Sequence, residues 1–191
     1  MLVNFIGCPL SGKTTIAAAV FASLKNDGYP TEFISERARF HIARKRATEG
    51  SRFKLTDEDQ FGIFRDQFEH EDSFKRASPD SVIIADASPL LALLYMSDEG
   101  VQRFSTEQQE LLQKATSNMQ VVLHCDPISN VNVNDPNRLH TLEQNLQIHA
   151  RIPDLLAKYA QHVEPVLLTE RFAHSRTTSA LREIYTRLVN E

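Results

Sequence analysis

The amino-acid sequence predicts a three-layer α/β fold, a parallel sheet with helices on both faces. Three observations carry this expectation. Strand-type and helix-type segments alternate from one end of the chain to the other. The segment Ser81-Val82-Ile83-Ile84-Ala85-Asp86 is β-branched and almost wholly apolar, the composition of a strand buried on both faces. Finally, the apolar run Leu2 to Ile6 leads through the glycine-bearing stretch Gly7 to Gly12 directly into a helix-type segment.

After the first strand, Lys13 to Lys25 reads as a helix that Asn26-Asp27-Gly28 stops. Thr31 to Ser35 is a short second strand. A helix then runs from Glu36 to about Arg46, and Ala47 to Lys54 is a break containing Gly50 and Ser51. Thr56-Asp57-Glu58-Asp59 resembles a capping box with Asp in the usual Glu or Gln position, and the helix it opens carries an apolar stripe of Phe61, Phe64, Phe68 and Phe74. Pro79-Asp80 turns the chain into the strand Ser81 to Asp86. One helix is expected from Ser88, with Pro89 in its first turn, and another from Ser105, where Ser105-Thr106-Glu107-Gln108 has capping-box spacing. Gln120 to Cys125 is the fourth strand. Asp126 to His140 is polar, with two prolines and four asparagines, and reads as a loop over a site. Helix Thr141–Gln161, strand Val163–Leu168 and helix Arg176–Asn190 complete the expected order. No internal repeat or linker interrupts it, so residues 1–191 are read as a single domain with a lid candidate at 126–140.

A net charge of -4 over 191 residues supplies no overall field for a polyanion, which disfavours nucleic acid as a partner outside local basic patches. The longest apolar stretch, Val82 to Met96, is broken by Asp86, Ser88 and Pro89, so no membrane span is expected. No basic n-region precedes the first strand, and the expected location is the cytoplasm. Cys8 and Cys125 form neither a CxxC pair nor a metal-ligand spacing, and are read as free thiols. The seven histidines show no paired spacing, and none is assigned to a metal.

The chemistry is concentrated in Gly7-Cys8-Pro9-Leu10-Ser11-Gly12-Lys13-Thr14, which fits G-x-x-x-x-G-K-[ST], the phosphate-binding P-loop. In that pattern a glycine-rich turn leaves successive backbone N–H groups pointing inward around a phosphate, and the following helix adds its positive N-terminus. Lys13 is the expected contact to the β- and γ-phosphates of ATP, with Thr15 next along the same helix start. Thr14 and Asp86, at the C-terminal end of the buried strand, are the expected Mg²⁺ ligands. Ligands of open parallel sheets collect at this strand edge.

Three classes of P-loop protein compete. Motor ATPases usually place Glu directly after the strand-end Asp to polarise water; here Ala87 follows Asp86. A guanine-specific switch usually carries Asn-Lys-x-Asp, which the chain lacks. A kinase needs a carboxylate for the acceptor hydroxyl and arginines to neutralise the moving phosphoryl group. Glu36 after the second strand is the candidate carboxylate, with Arg37 and Arg39 beside it as acceptor-site residues. Arg138 and Arg151 are candidate arginines of the lid and of the next helix. The basic run continues through Arg44, Lys45, Arg46, Arg52 and Lys54, which reads as a solvated helix face or weak anion patch.

With Gly7 to Thr14, Ser35-Glu36-Arg37-Ala38-Arg39, Leu55 to Asp59 with Gln67 and Glu71, Asp86, and Asp135 to Arg138, the chain resembles the ribosylnicotinamide kinase domain of bacterial NAD regulators over nearly its whole length. More distantly it is similar to thymidylate and deoxynucleoside kinases. The resemblance implies a five-stranded P-loop NTPase sheet in the order 2-3-1-4-5, and ATP-dependent phosphoryl transfer to nicotinamide riboside, a nucleoside or a nucleoside monophosphate. The chain departs from this pattern at Asp135-Pro136-Asn137-Arg138, where the family often has Asp-Gly-x-Arg. It departs again after Asp86, where Ala87-Ser88-Pro89-Leu90 replaces a Thr-Asp-type continuation. The alternatives are an ATP-binding regulatory module that transfers nothing and a nucleic-acid end kinase. The residues leave acceptor identity and oligomeric state open.

Overall fold

The structure is a computed structural model that describes residues 1–50, 53–128 and 141–190. Five strands, β1 (Leu2–Ile6), β2 (Thr31–Ile34), β3 (Val82–Ala85), β4 (Val121–Cys125) and β5 (Val166–Leu168), form one sheet in the order β2-β3-β1-β4-β5. Every adjacent pair is parallel. This is the expected 2-3-1-4-5 order. The three interior strands explain their own position: all residues of β3, β1 and β4 are buried, as strands covered on both faces require.

The helices are α1 (Lys13–Asn26), α2 (Arg37–Glu49), α3 (Asp57–Ala77), α4 (Asp98–Glu107), α5 (Gln109–Asn118), α6 (Leu142–Tyr159) and α7 (Ala173–Asn190), with a 3-10 segment at Pro89–Tyr95. Alternation along the strands divides the core in two. Val3, Phe5, Val121, Leu123 and Cys125 pack with Ile16, Val20 and Leu24 of α1 and Ala180 and Ile184 of α7 on one face. Ile6 and Val122 meet Phe61, Phe64 and Phe68 of α3, the 3-10 segment, and Ile152 and Leu156 of α6 on the other. The expected phenylalanine stripe is therefore core, with Phe64 and Phe61 each tilted against Phe104 at 4.7 and 4.9 Å between ring centroids. Phe74 is only partly buried, against Leu2 and Ile34.

Helix starts follow side-chain caps. Thr56 and Asp59 form the reciprocal capping box of α3, and Thr141 and Gln144 that of α6. The structure corrects the helix expected at Ser105. That helix begins instead at Asp98, because Ser97 Oγ accepts the Gly100 N–H while the Ser97 hydroxyl and N–H both donate to Asp57. Ser105 is inside α4, and its hydroxyl meets that of Tyr159. The helix expected at Ser88 is a 3-10 segment, with Ser88 Oγ accepting the Leu90 N–H. α2 continues past Arg46 to Glu49 and stops at Gly50, whose φ of 84° suits glycine. β5 is shorter than expected, since the Val163 N–H turns back to the Ala160 carbonyl and Pro165 has no N–H to pair. Among the described residues no helix is long and apolar enough to cross a membrane.

Candidate functional site

The loop from Gly7 to Gly12 joins β1 to α1 at the C-terminal edge of the sheet, and its glycines are there for space and backbone conformation. A Cβ on Gly7 would stand 2.6 Å from Ser11 Oγ and 2.7 Å from the Cys125 carbonyl oxygen. Gly12, the residue before α1, has φ of 81°, and a Cβ there would meet Ile128 at 2.9 Å. Leu10 also sits in the left-handed region, with φ of 74°, which costs a residue bearing a Cβ and marks the loop as held by its surroundings. Part of that hold comes from α7. The buried Arg176 guanidinium donates from Nη1 to the carbonyls of Ser11 at 3.1 Å and Asp126 at 2.6 Å, pinning the back of the loop to the end of β4. Nothing in the sequence around Arg176 signals this role.

The start of α1 has no side-chain cap and no acidic residue in its first turn, whereas α3 has a capping box and three acids. Its N-terminal amides are thus left without a protein anion, the arrangement that suits phosphate. Lys13 is buried, and its ammonium donates to the carbonyls of Gly7 at 2.9 Å and Cys8 at 3.1 Å. The charge lies across the loop it would serve.

Asp86 ends β3 with its carboxyl buried and Oδ1 without a hydrogen-bond partner. Burial pushes this acid upward, the adjacent Thr14 hydroxyl and the Lys13 ammonium partly offset the rise, and Glu36 adds to it. Asp86 does not cap the helix that follows, because Ser88 does. An orphaned buried carboxylate oxygen beside a threonine hydroxyl is a hard-oxygen donor set that fits Mg²⁺ completed by waters and phosphate oxygens. Ala87, the next residue, has φ of 133°, a strained bend that turns the chain away from the sheet along the cavity wall.

Glu36 occupies the residue before α2 but makes no capping bond with its side chain. Its Oε2 accepts from Arg39 Nε at 3.0 Å, and Arg39 Nη2 donates to Thr14 Oγ1 at 3.0 Å. Arg39 therefore bridges the expected acceptor carboxylate to the expected metal-binding hydroxyl. Together with the loop, these residues line a cavity of about 380 Å³ that continues past Ala87 to Gln60, Ile63, Gln67, Ala92 and Tyr95.

Not every expected site residue is brought here. Arg37 turns the other way, donating from Nε to Asp66 Oδ2 at 3.0 Å and stacking over Phe40. Arg151 donates to the Leu94 carbonyl at 3.0 Å and lines a separate cavity between α4 and α6. Arg138, most of the lid candidate and Arg52 lie outside the described residues. Of the basic run, Lys45 is paired with Asp59 and Glu49. Cys8 and Cys125 are free and buried, and burial raises both thiols, Cys125 to about 12. Gln60 and Tyr95 were not singled out from the sequence. Gln60 had a signal, since it stands seven residues from Gln67 and so shares its face of α3.

Gln67 links the cavity to a buried acid. Its Oε1 accepts the Arg37 N–H at 3.1 Å, and its Nε2 donates to Glu71 Oε1 at 3.3 Å, which also accepts from Asn4 Nδ2 at 3.0 Å. Full burial raises Glu71 from 4.5 to about 8, against the lowering effect of these two amides. The folded chain consequently keeps a proton that the unfolded chain releases over this interval. Glu71's contribution to stability is complete below pH 4.5 and is lost as pH rises toward about 8. Urea unfolding of the wild type from pH 5 to 8 should show stability falling by at most about 1.4 kcal/mol per pH unit from this group. Glu71→Gln should flatten that slope; an unchanged slope would assign the dependence elsewhere.

A glycine-shaped anion loop, an unclaimed helix N-terminus, a folded-over lysine and a Thr–Asp pair at the edge of a 2-3-1-4-5 sheet define a P-loop phosphate-binding protein. The chain belongs to the family described as AAA domain, which matches residues 2–171. No curated protein sequence matches it. Among solved structures it is similar to a NadR protein in complex with NAD and AMP-PNP, with a TM-score of 0.69 and 17% identity over 97% of this chain and 48% of that one. It is also similar to a NadR protein in complex with NR, with a TM-score of 0.68 and 18% identity over 97% of this chain and 50% of that one. A thymidylate kinase from Candida albicans superposes with a TM-score of 0.60 and 15% identity, covering 100% of this chain and 93% of that one. The chain thus spans about half the length of the NadR structures. These likenesses bear out the expected fold and the family resemblance.

Proposed function

We propose that the chain is an ATP- and magnesium-dependent phosphotransferase whose acceptor is a small nucleoside-like molecule or a nucleotide. The observation that carries this reading is the Glu36–Arg39–Thr14 bridge, which sets a carboxylate and a guanidinium against the P-loop hydroxyl within one cavity, with the orphaned Asp86 oxygen beside Thr14. In this reading Gly7 to Thr15 cradle the donor phosphates and Lys13 leaves its two carbonyls for the β- and γ-oxygens. Thr14 and Asp86 hold Mg²⁺, which when bound neutralises charge developing between the β- and γ-phosphates.

The acceptor enters beside Gln60, Gln67 and Tyr95. Its hydroxyl oxygen, or a phosphate oxygen where the acceptor is a nucleotide, forms the new bond to the γ-phosphorus, the bond to the β–γ bridging oxygen breaks and ADP leaves; with a hydroxyl acceptor the proton passes to Glu36. Arg39 faces the transferring group, and Arg138 is the proposed lid arginine. The loose transition state asks more of position and charge than of base strength. Ala87 at the position where hydrolytic motors carry Glu removes the group that would activate water.

The test is acceptor-dependent ADP release from ATP and Mg²⁺ across nicotinamide riboside, nucleosides, nucleoside monophosphates and oligonucleotide 5′ ends. Stimulation by a small acceptor supports the proposal. No stimulation by any acceptor, with ATP bound, would make the chain a nucleotide-binding module, and stimulation by oligonucleotides alone would make it an end kinase.

A further inference from the structure

His124 and His149 are 25 positions apart in sequence, yet the fold brings their rings to 5.1 Å between centroids. His124 is on β4 and faces α6, which carries His149; Asp126 follows the end of β4, and its Oδ1 is 3.4 Å from His149 Nε2. One donor atom from each of the three residues lies within 4.8 Å of the others. Two of the imidazole nitrogens, Nε2 of His124 and Nδ1 of His149, are buried without any hydrogen-bond partner. Buried ring nitrogens normally find partners; because His149 meets Asp126 through Nε2, its Nδ1 points away from an ion shared with that carboxylate, and the orphaned His124 Nε2 is the atom that asks for an explanation.

We propose that His124, Asp126 and His149 bind one divalent transition-metal ion of the zinc type, at a site separate from the Thr14–Asp86 pair. Two imidazoles with one carboxylate favour a late first-row metal over Mg²⁺, which prefers an all-oxygen shell. Metal bonds of about 2.0–2.1 Å place tetrahedral ligand atoms about 3.4 Å apart. The Asp126–His149 pair already has that spacing, and since all three donor atoms lie within 4.8 Å of one another, no pair must close by more than roughly 1.4 Å.

Three protein ligands leave a fourth position for water or a small anion. The ion would tie α6 to the end of β4, where Arg176 joins the Asp126 carbonyl to the Ser11 carbonyl of the P-loop.

The full-length chain, stripped with chelator and free of nucleotide, is titrated with Zn²⁺ by calorimetry and with Co²⁺ by visible absorption. Expected are uptake of a single ion, the intense d–d bands of tetrahedral Co²⁺, their loss on adding Zn²⁺, and no competition from excess Mg²⁺. His149→Ala and Asp126→Asn, both at partly exposed positions, should each weaken uptake by more than about tenfold, while metal-free melting shows that they remain folded. If either variant fails to fold, His149→Gln takes its place. Absence of stoichiometric uptake by the wild type, or uptake unchanged in folded variants at both positions, overturns the proposal.

Discussion

Lys13→Ala should lower ATP affinity by at least about 30-fold while leaving the fold in place. The ammonium is buried and lies against two loop carbonyls, so its positive charge is kept next to the phosphate position with little water to screen it. Truncating one partner of such a charged contact costs about 2–5 kcal/mol, which is what the expected loss represents. The loop itself should survive. Its shape also depends on Gly12, the strained Leu10 and the Arg176 guanidinium behind Ser11, none of which the lysine ammonium bonds. Calorimetric ATP titration, with thermal melting as the folding control, measures the effect. Wild-type affinity in a folded variant would remove the nucleotide assignment.

Glu36→Gln should reduce acceptor-dependent turnover by about 10²- to 10⁴-fold, the range typical of a lost general base, and leave ATP affinity within about twofold. The structure allows this separation because the Glu36 side chain makes no capping bond at α2, so replacing it does not unfasten the helix. Its contact is Arg39, and Gln can still accept from Nε with its carbonyl oxygen. What the variant loses is the negative charge proposed to receive the hydroxyl proton. Steady-state kinetics in both substrates, set beside ATP titration, reads the split. Equal losses in turnover and ATP affinity would place Glu36 in the scaffold of the donor site.

Much of the proposed donor half was legible in the sequence, because its parts are local. A P-loop needs only the spacing of Gly7, Gly12, Lys13 and Thr14 between a strand and a helix, and Asp86 is marked by ending the most apolar strand. The proposed acceptor half was legible only in outline. Glu36, Arg37 and Arg39 look alike on paper, but docking α2 on α3 sends Arg37 to Asp66 and leaves Glu36 and Arg39 at the cavity. Arg151 looked available to the phosphates and is held by the Leu94 carbonyl. Ser105 carried a plausible capping pattern and lost to Ser97, whose N–H and hydroxyl are fixed by Asp57 from 40 positions away.

By itself the sequence determined the parallel sheet order through the resemblance, the phosphate loop through its glycines, and the cap of α3 through the Thr56–Asp59 spacing. These depend on hydrophobic period and on contacts a few residues apart, which a linear pattern records. Only the tertiary structure decided which arginine faces the cavity, that Arg176 braces the loop, that Glu71 is an isolated buried acid beside Asn4, and that His124 meets Asp126 and His149. Each of those depends on the rotation of a helix against the sheet, set by how whole apolar faces pack, and that is a property of no single segment.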